Sequence, residues 1–126
     1  MAIHQEVRIK GSPQQIYKAL TTAKQFSEVT GAPADIAADE GGAFSCFAGQ
    51  ITGRNVELKV NKTIVQAWRA GTWPAGVYSI VRITLEQAGD ETKVTLDQSG
   101  FPDDAAEHLQ GGWHKMYWEP LKAYLA

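Results

Sequence analysis

"GGWHKMYWEPLKAYL", residues 111–125, packs two glycines, four large aromatics and a proline into a segment that otherwise has the spacing of an amphipathic helix. Leu109, Trp113, Met116, Tyr117, Leu121 and Tyr124 recur at intervals of three and four, which predicts one apolar stripe. The helix starts upstream, where Pro102 and the acidic pair Asp103–Asp104 suit a positive helix end. Glycine in a helix costs about 1 kcal/mol relative to alanine. Gly111 and Gly112 therefore predict a compensating feature, either close approach to a neighbouring layer or a point where the helix bends. On that reading Gly112→Leu destabilises the fold or blocks a cavity. Pro120 lacks the amide that would bond the Met116 carbonyl, which predicts a kink. The polar face sets Lys115 and Lys122 against Glu107 and Glu119, so it lacks the basic character of a membrane-surface helix. The stretch reads as a broken gripping helix, core first and gate second.

A gripping helix needs something to grip. "IHQEVRI" places Ile3, Gln5, Val7 and Ile9 on one face of a strand. "GSPQQIYKAL" switches to helical period with Ser12 as cap and Pro13 at the first position, and "TTAKQFSEVTG" predicts a second short helix stopped by Gly31 and Pro33. The chain then turns to strands. "ADIAAD" is short, "GGAFSCFAG" lies between glycine turns, and "QITGRNVELKV" sets Val56, Leu58 and Val60 on one side. Asn61-Lys62 turns into "TIVQAWRAGTW"; "VYSIVRITLEQ", the hairpin turn "AGDE" and "TKVTLDQSG" complete the series. Strands apolar on one face need a cover, and only the terminal helix is long enough to supply it. The predicted fold is α+β: a curved antiparallel sheet wrapped around a long C-terminal helix, with two short helices after strand 1. Residues 1–126 read as a single domain.

Composition narrows the function. Lys plus Arg number 12 against 14 Asp plus Glu, with no run of like charge, so the basic stripe of a nucleic-acid binder is missing. A single cysteine, Cys46, rules out an internal disulfide. The N-terminus carries charges where a signal peptide has its apolar run, and no segment reaches the roughly 18 apolar residues of a membrane span. A soluble, cytoplasmic protein is the expectation. Catalytic and metal motifs are missing too. His108 and His114 are six apart, on roughly opposite helix faces, and no nucleophile, zinc or phosphate-loop signature occurs. Cys46, between Phe44 and Phe47, reads as a small buried hydrophobe. No metal and no cofactor is implied.

The second half carries a family pattern. Trp68-Arg69 with Trp73-Pro74, and the terminal Gly112-Trp113, Tyr117-Trp118-Glu119 and Leu121-Lys122, resemble the carboxyl-terminal domain of the activators of the ninety-kilodalton heat-shock protein ATPase. The resemblance runs from about residue 63 to the end; before that it rests on element order and the opening "SPQQIYKALT". It implies the START-like (SRPBCC) superfamily and its helix-grip fold, built around a hydrophobic cavity. Activators of the eukaryotic type carry a separate amino-terminal domain, for which 126 residues leave no room. Fold alone does not settle function.

The helix-grip resemblance implies a cavity between sheet and terminal helix. Strand parity then supplies a lining: Val56, Leu58, Trp68, Val81, Ile83, Val94 and Leu96, opposed by Trp113, Met116, Tyr117 and Leu121. The same residues can equally pack as plain core. Arg54 and Gln66 share parity with inward positions and are candidates to fix a polar ligand end, although Arg54 can instead reach solvent from a strand end. Trp73 beside Pro74 is either a cavity rim or a cap on the core. The expected function is non-enzymatic binding of a small hydrophobic molecule. The alternative is an interaction protein that modulates a heat-shock chaperone ATPase. A third reading is a polyketide-cyclase-like enzyme, which requires a buried carboxylate or histidine within reach of substrate.

Overall fold

The computed structural model describes residues 2–126. Seven strands form one antiparallel sheet: β1 (Ala2–Lys10), β2 (Asp35–Ile36), β3 (Ala43–Cys46), β4 (Ile51–Lys59), β5 (Thr63–Ala70), β6 (Ser79–Ala88) and β7 (Glu91–Ser99). Their order is β1-β7-β6-β5-β4-β3-β2, so β2 to β7 meander and β1 closes on β7. Two short helices, α1 (Pro13–Thr21) and α2 (Ala23–Thr30), follow β1. Ser12 caps α1 reciprocally with Gln15, Pro13 opens it, and Gly31 ends α2 at φ 74°. The α+β helix-grip arrangement expected from the sequence is present.

The terminal helix runs in four pieces: a 3₁₀ turn (Asp103–Ala105), α3 (Ala106–Gly112), a π-helical segment (Trp113–Trp118) and α4 (Glu119–Leu125). A π segment stands just before the proline at which the kink is expected. It ends two residues before Pro120, and the Glu119 amide reaches back five residues to the His114 carbonyl. Proline removes a bond and crowds the carbonyl four residues back. Here the wider turn takes up that conflict. The change of period also reassigns the buried face. Spacing of three and four selects Met116, whereas the wide turn places Trp113, Tyr117 and Trp118 together at 2%, 9% and 0% exposure. Met116 is left exposed.

Gly111 and Gly112 do not approach the sheet, which corrects the first of the two expected compensations: a Cβ at either would meet nothing within 4 Å. Burial offsets their cost instead. A buried tryptophan removes 150–250 Å² from water, worth about 4–6 kcal/mol as an upper estimate. Two such residues outweigh two glycine penalties of about 1 kcal/mol each.

The sheet's inner face follows parity except in β4. The register slips between Asn55 and Glu57, a β-bulge whose extra residue is Val56. Ile51, Gly53 and Asn55 face inward before it and Leu58 packs on the core after it, while Val56 is 53% exposed. Val56 is thus outside, against expectation, and Val60 beyond it is exposed as well. Gly53 is required where it stands, because a Cβ there would lie 2.7 Å from the Phe44 ring and 1.9 Å from the Ala67 carbonyl.

Candidate functional site

The helix meets the sheet through aromatic rings whose polar ends are all matched. Trp113 stacks near Trp118 and Trp68, with ring centroids 5.6 Å away in each case, and lies 4.2 Å from Tyr117. Its indole N–H donates to Gln98 Oε1 at 2.8 Å, the Gln98 amide donates to Ser79 Oγ at 3.0 Å, and that hydroxyl donates to the Trp68 carbonyl at 2.8 Å. Trp118 donates to Gln5 Oε1 at 2.9 Å, and Gln5 returns a bond to the Gln110 carbonyl at 3.0 Å. The Trp68 indole reaches the Tyr117 hydroxyl at a long 3.4 Å. Among the described residues no buried side-chain polar atom is without a partner. Every matched bond avoids a desolvation cost of about 1–3 kcal/mol, so the network fixes the helix in register as well as in place.

Toward β2 and α2 the space beneath the helix is filled. Phe26, Phe47 and Tyr117 meet edge to face at 5.5–5.7 Å. What remains is a void of about 10 Å³ bordered by Phe44, Cys46, Gln66, Ile83 and Tyr117. That is room for one water at most. Burial pushes the Cys46 thiol up to about 12 and raises the Tyr117 phenol well above its ordinary range. Neither group ionises near neutral pH, and Cys46 is the inert hydrophobe the sequence suggested.

Toward the β5–β6 loop the opposite holds. An open groove of about 910 Å³ lies between Trp68, Trp73 and the start of β4 on one side and α3 with the π segment on the other. Its apolar wall is Phe47, Trp68, Trp73, Trp113, Met116 and Tyr117; Asp104, Glu107, His108 and Lys115 stand around it, all four exposed. The rim is held firmly. Arg69 donates to the carbonyls of Trp73 at 2.7 Å, Pro74 at 3.1 Å and Val77 at 3.2 Å, which ties the loop to the strand it leaves. Gly111 and Gly112 border the groove on the helix side.

Of the residues singled out from the sequence, Trp68, Trp73, Trp113, Met116 and Tyr117 come together at this groove. Gln66 and Ile83 border the small void instead, and Gln66 donates to Asn55 Oδ1 at 3.1 Å. Val81 is fully buried core, and Leu58 is half-buried against it. Arg54 and Val56 do not face the interior. The Arg54 guanidinium is exposed and donates to the Gly41 carbonyl at 2.9 Å. Gln98, Trp118 and Arg69 were not assigned roles by sequence. Gln98 was findable, since it continues the inward parity of Val94 and Leu96; Trp118 was hidden by the π turn. Among the described residues the buried polar side chains are amides and hydroxyls, with no carboxylate or imidazole. The acid–base reading therefore gains no support. Among the described residues no group of three or more His, Cys, Asp and Glu is placed to hold a metal ion, and no helix is long and apolar enough to cross a membrane.

A sheet wrapped on a helix through buried indoles, with an open groove beside the β5–β6 loop, defines a helix-grip protein of the START-like kind. Residues 10–126 match the family described as "Activator of Hsp90 ATPase homolog 1-like protein", and the chain belongs to that family. The human activator of 90 kDa heat shock protein ATPase homolog 1 is 32% identical over 111 residues, covering 88% of this chain and 33% of its own. The chain thus spans about a third of the length of that relative. Among solved structures, an HSP90 activator from Plasmodium falciparum superposes with a TM-score of 0.93 at 23% identity, over 99% of this chain and 96% of its own. An Aha1 dimer from Colwellia psychrerythraea gives 0.82 at 22% identity, over 98% and 95%. At these identities the two structures show the shared fold.

Proposed function

We propose that this protein, acting as one domain in the cytoplasm, binds a ninety-kilodalton heat-shock chaperone and changes its ATPase rate. The observation that carries the reading is the 32% identity with the human activator across 88% of the chain. The family match over residues 10–126 includes the terminal helix, whose indoles bond to buried Gln98 and Gln5 of the sheet. The test is the ATPase rate of the purified chaperone from the same organism, measured while this protein is titrated in, together with the binding isotherm. A saturable change in rate that follows binding is expected. Undiminished, unstimulated turnover with no binding at micromolar concentrations contradicts the proposal.

A second reading rests on the groove. Its volume of about 910 Å³ falls in the range that small-molecule sites occupy, and its wall is aromatic. A small hydrophobic molecule would sit there, against Trp73 and Met116, and not in the filled space beneath the helix. Titration with fatty acids, sterols and aromatic polyketides, followed by tryptophan fluorescence, separates the two readings. Saturable quenching lost in Trp73→Ala supports the groove as a ligand site, and no response across the panel removes it.

A further inference from the structure

All four arginines of the chain, Arg8, Arg54, Arg69 and Arg82, lie on the outward face of the sheet. Parity puts them there: each alternates with an inward residue of its strand, as Arg69 does with Trp68 and Arg82 with Val81. None of them takes part in an ion pair among the described residues. Four of the five carboxylates of the same face are already matched: Asp97 by His4 at 2.6 Å, Glu57 by Lys59 at 3.9 Å, and Glu6 and Glu86 by Lys93 at 3.8 and 3.9 Å; the fifth, Glu91, stands at the far end of β7. Arg69 is occupied by loop carbonyls and Arg54 by one carbonyl, neutral partners that leave the charge uncompensated.

Two of these arginines frame an apolar centre. Arg54, Ala67 and Ile80 stand side by side on β4, β5 and β6, and Arg82 follows Ile80 two residues along. Strand spacing of about 4.8 Å and a rise of about 3.4 Å per residue put both Arg54 and Arg82 within roughly 10 Å of Ile80. Ile80 is 50% exposed, Tyr78 49% and Val56 53%, half of the exposed large hydrophobics among the described residues. The bulge that turned Val56 outward thus adds to this patch. Arginine and tyrosine around an apolar centre are the residue types that dominate protein interfaces.

We infer that the outer sheet face centred on Ile80 docks an acidic segment of a partner protein, with carboxylates on Arg54 and Arg82 and aliphatic side chains on Val56, Tyr78 and Ile80. Guanidinium groups accept carboxylates in a two-bond geometry, and the unmatched positive charge selects for them. A nucleic acid fits poorly, because a phosphate backbone needs several cations in a row and only Arg54 and Arg82 flank the apolar centre. The patch lies mid-sheet, on strands already paired on both sides, so the partner crosses the side chains and does not extend the sheet as an added strand. The inference goes beyond the chaperone reading and stands for any acidic partner.

The test is an amide chemical-shift titration of the labelled protein with a synthetic amphipathic peptide of glutamates and leucines. Saturable shifts at Val56, Tyr78, Ile80 and Arg82 are expected, weakening with salt, with no comparable binding of the lysine–leucine counterpart. The double variant Arg54→Glu/Arg82→Glu loses affinity about tenfold or more, and Ile80→Ser weakens it without altering the charge. Both arginines are exposed, so the melting temperature of the double variant reports directly whether the fold is kept. No saturable binding of the acidic peptide overturns the inference. So does equal binding by the double variant, or shifts centred on Trp73 and Met116. Binding to phosphatidylserine vesicles without binding to the peptide would assign the face to a membrane and overturn it as well.

Discussion

The two ends of the helix–sheet interface were built from the same kind of residue and came out differently. Near α2, Phe26, Phe47 and Tyr117 close the space to a void of about 10 Å³. Near the β5–β6 loop, Trp68, Trp73 and Trp113 border a groove of about 910 Å³. Aromatic content does not decide whether a helix-grip interior is hollow. What decides it is whether an element covers the far side. The α2 helix supplies Phe26 at one end, whereas the glycine pair of α3 supplies no side chain at the other.

That contrast can be broken from the closed side first. Trp113→Ala removes a fully buried ring together with its bond to Gln98, and an expected loss of about 4 kcal/mol would be read from urea unfolding. A loss below about 1 kcal/mol would mean the helix is not held by its indoles. Cys46 reports the same closure chemically. Its thiol is raised from 9.0 to about 12, so at pH 8 its thiolate is roughly a thousandfold scarcer than that of an ordinary thiol. Labelling with a disulfide reagent should be correspondingly slow in the native protein and fast in urea. Native labelling at the unfolded rate would show an open interior.

Smaller changes sharpen the picture. Gln98→Leu leaves the Trp113 indole and the Ser79 hydroxyl without their partner, an expected cost of about 2 kcal/mol, against near-neutrality if the network is dispensable. On the open side the sign reverses. Gly112 has helical angles, φ −62° and ψ −40°, and open space at its Cβ position. Gly112→Ala should therefore stabilise by about 0.5–1 kcal/mol. Destabilisation would place the glycine under a constraint that the geometry does not contain.

Element order, the α1 cap and the strand faces of β1, β5, β6 and β7 were legible in the sequence because each follows a regular period. Two local irregularities hid the rest. The bulge at Val56 reversed parity within one strand, which turned Val56 outward and Leu58 inward. The π segment exchanged Met116 for Trp118 on the buried face, and no spacing rule based on 3.6 residues per turn could have shown it. Arg54 was assigned by parity to the interior, yet in β4 the inward parity before the bulge belongs to the odd-numbered residues. The groove was half legible. Its aromatic wall could be named from the family pattern, but its openness depends on what α3 does not carry.

The four tryptophans, at 68, 73, 113 and 118, allow the most direct test in a single experiment. Native-state hydrogen exchange of the indole protons measures how each region opens. Trp113 and Trp118, bonded to buried Gln98 and Gln5, should exchange only through global unfolding, while Trp73 on the groove rim exchanges freely. Exchange at Trp113 as fast as at Trp73 would contradict a closed grip beside an open groove.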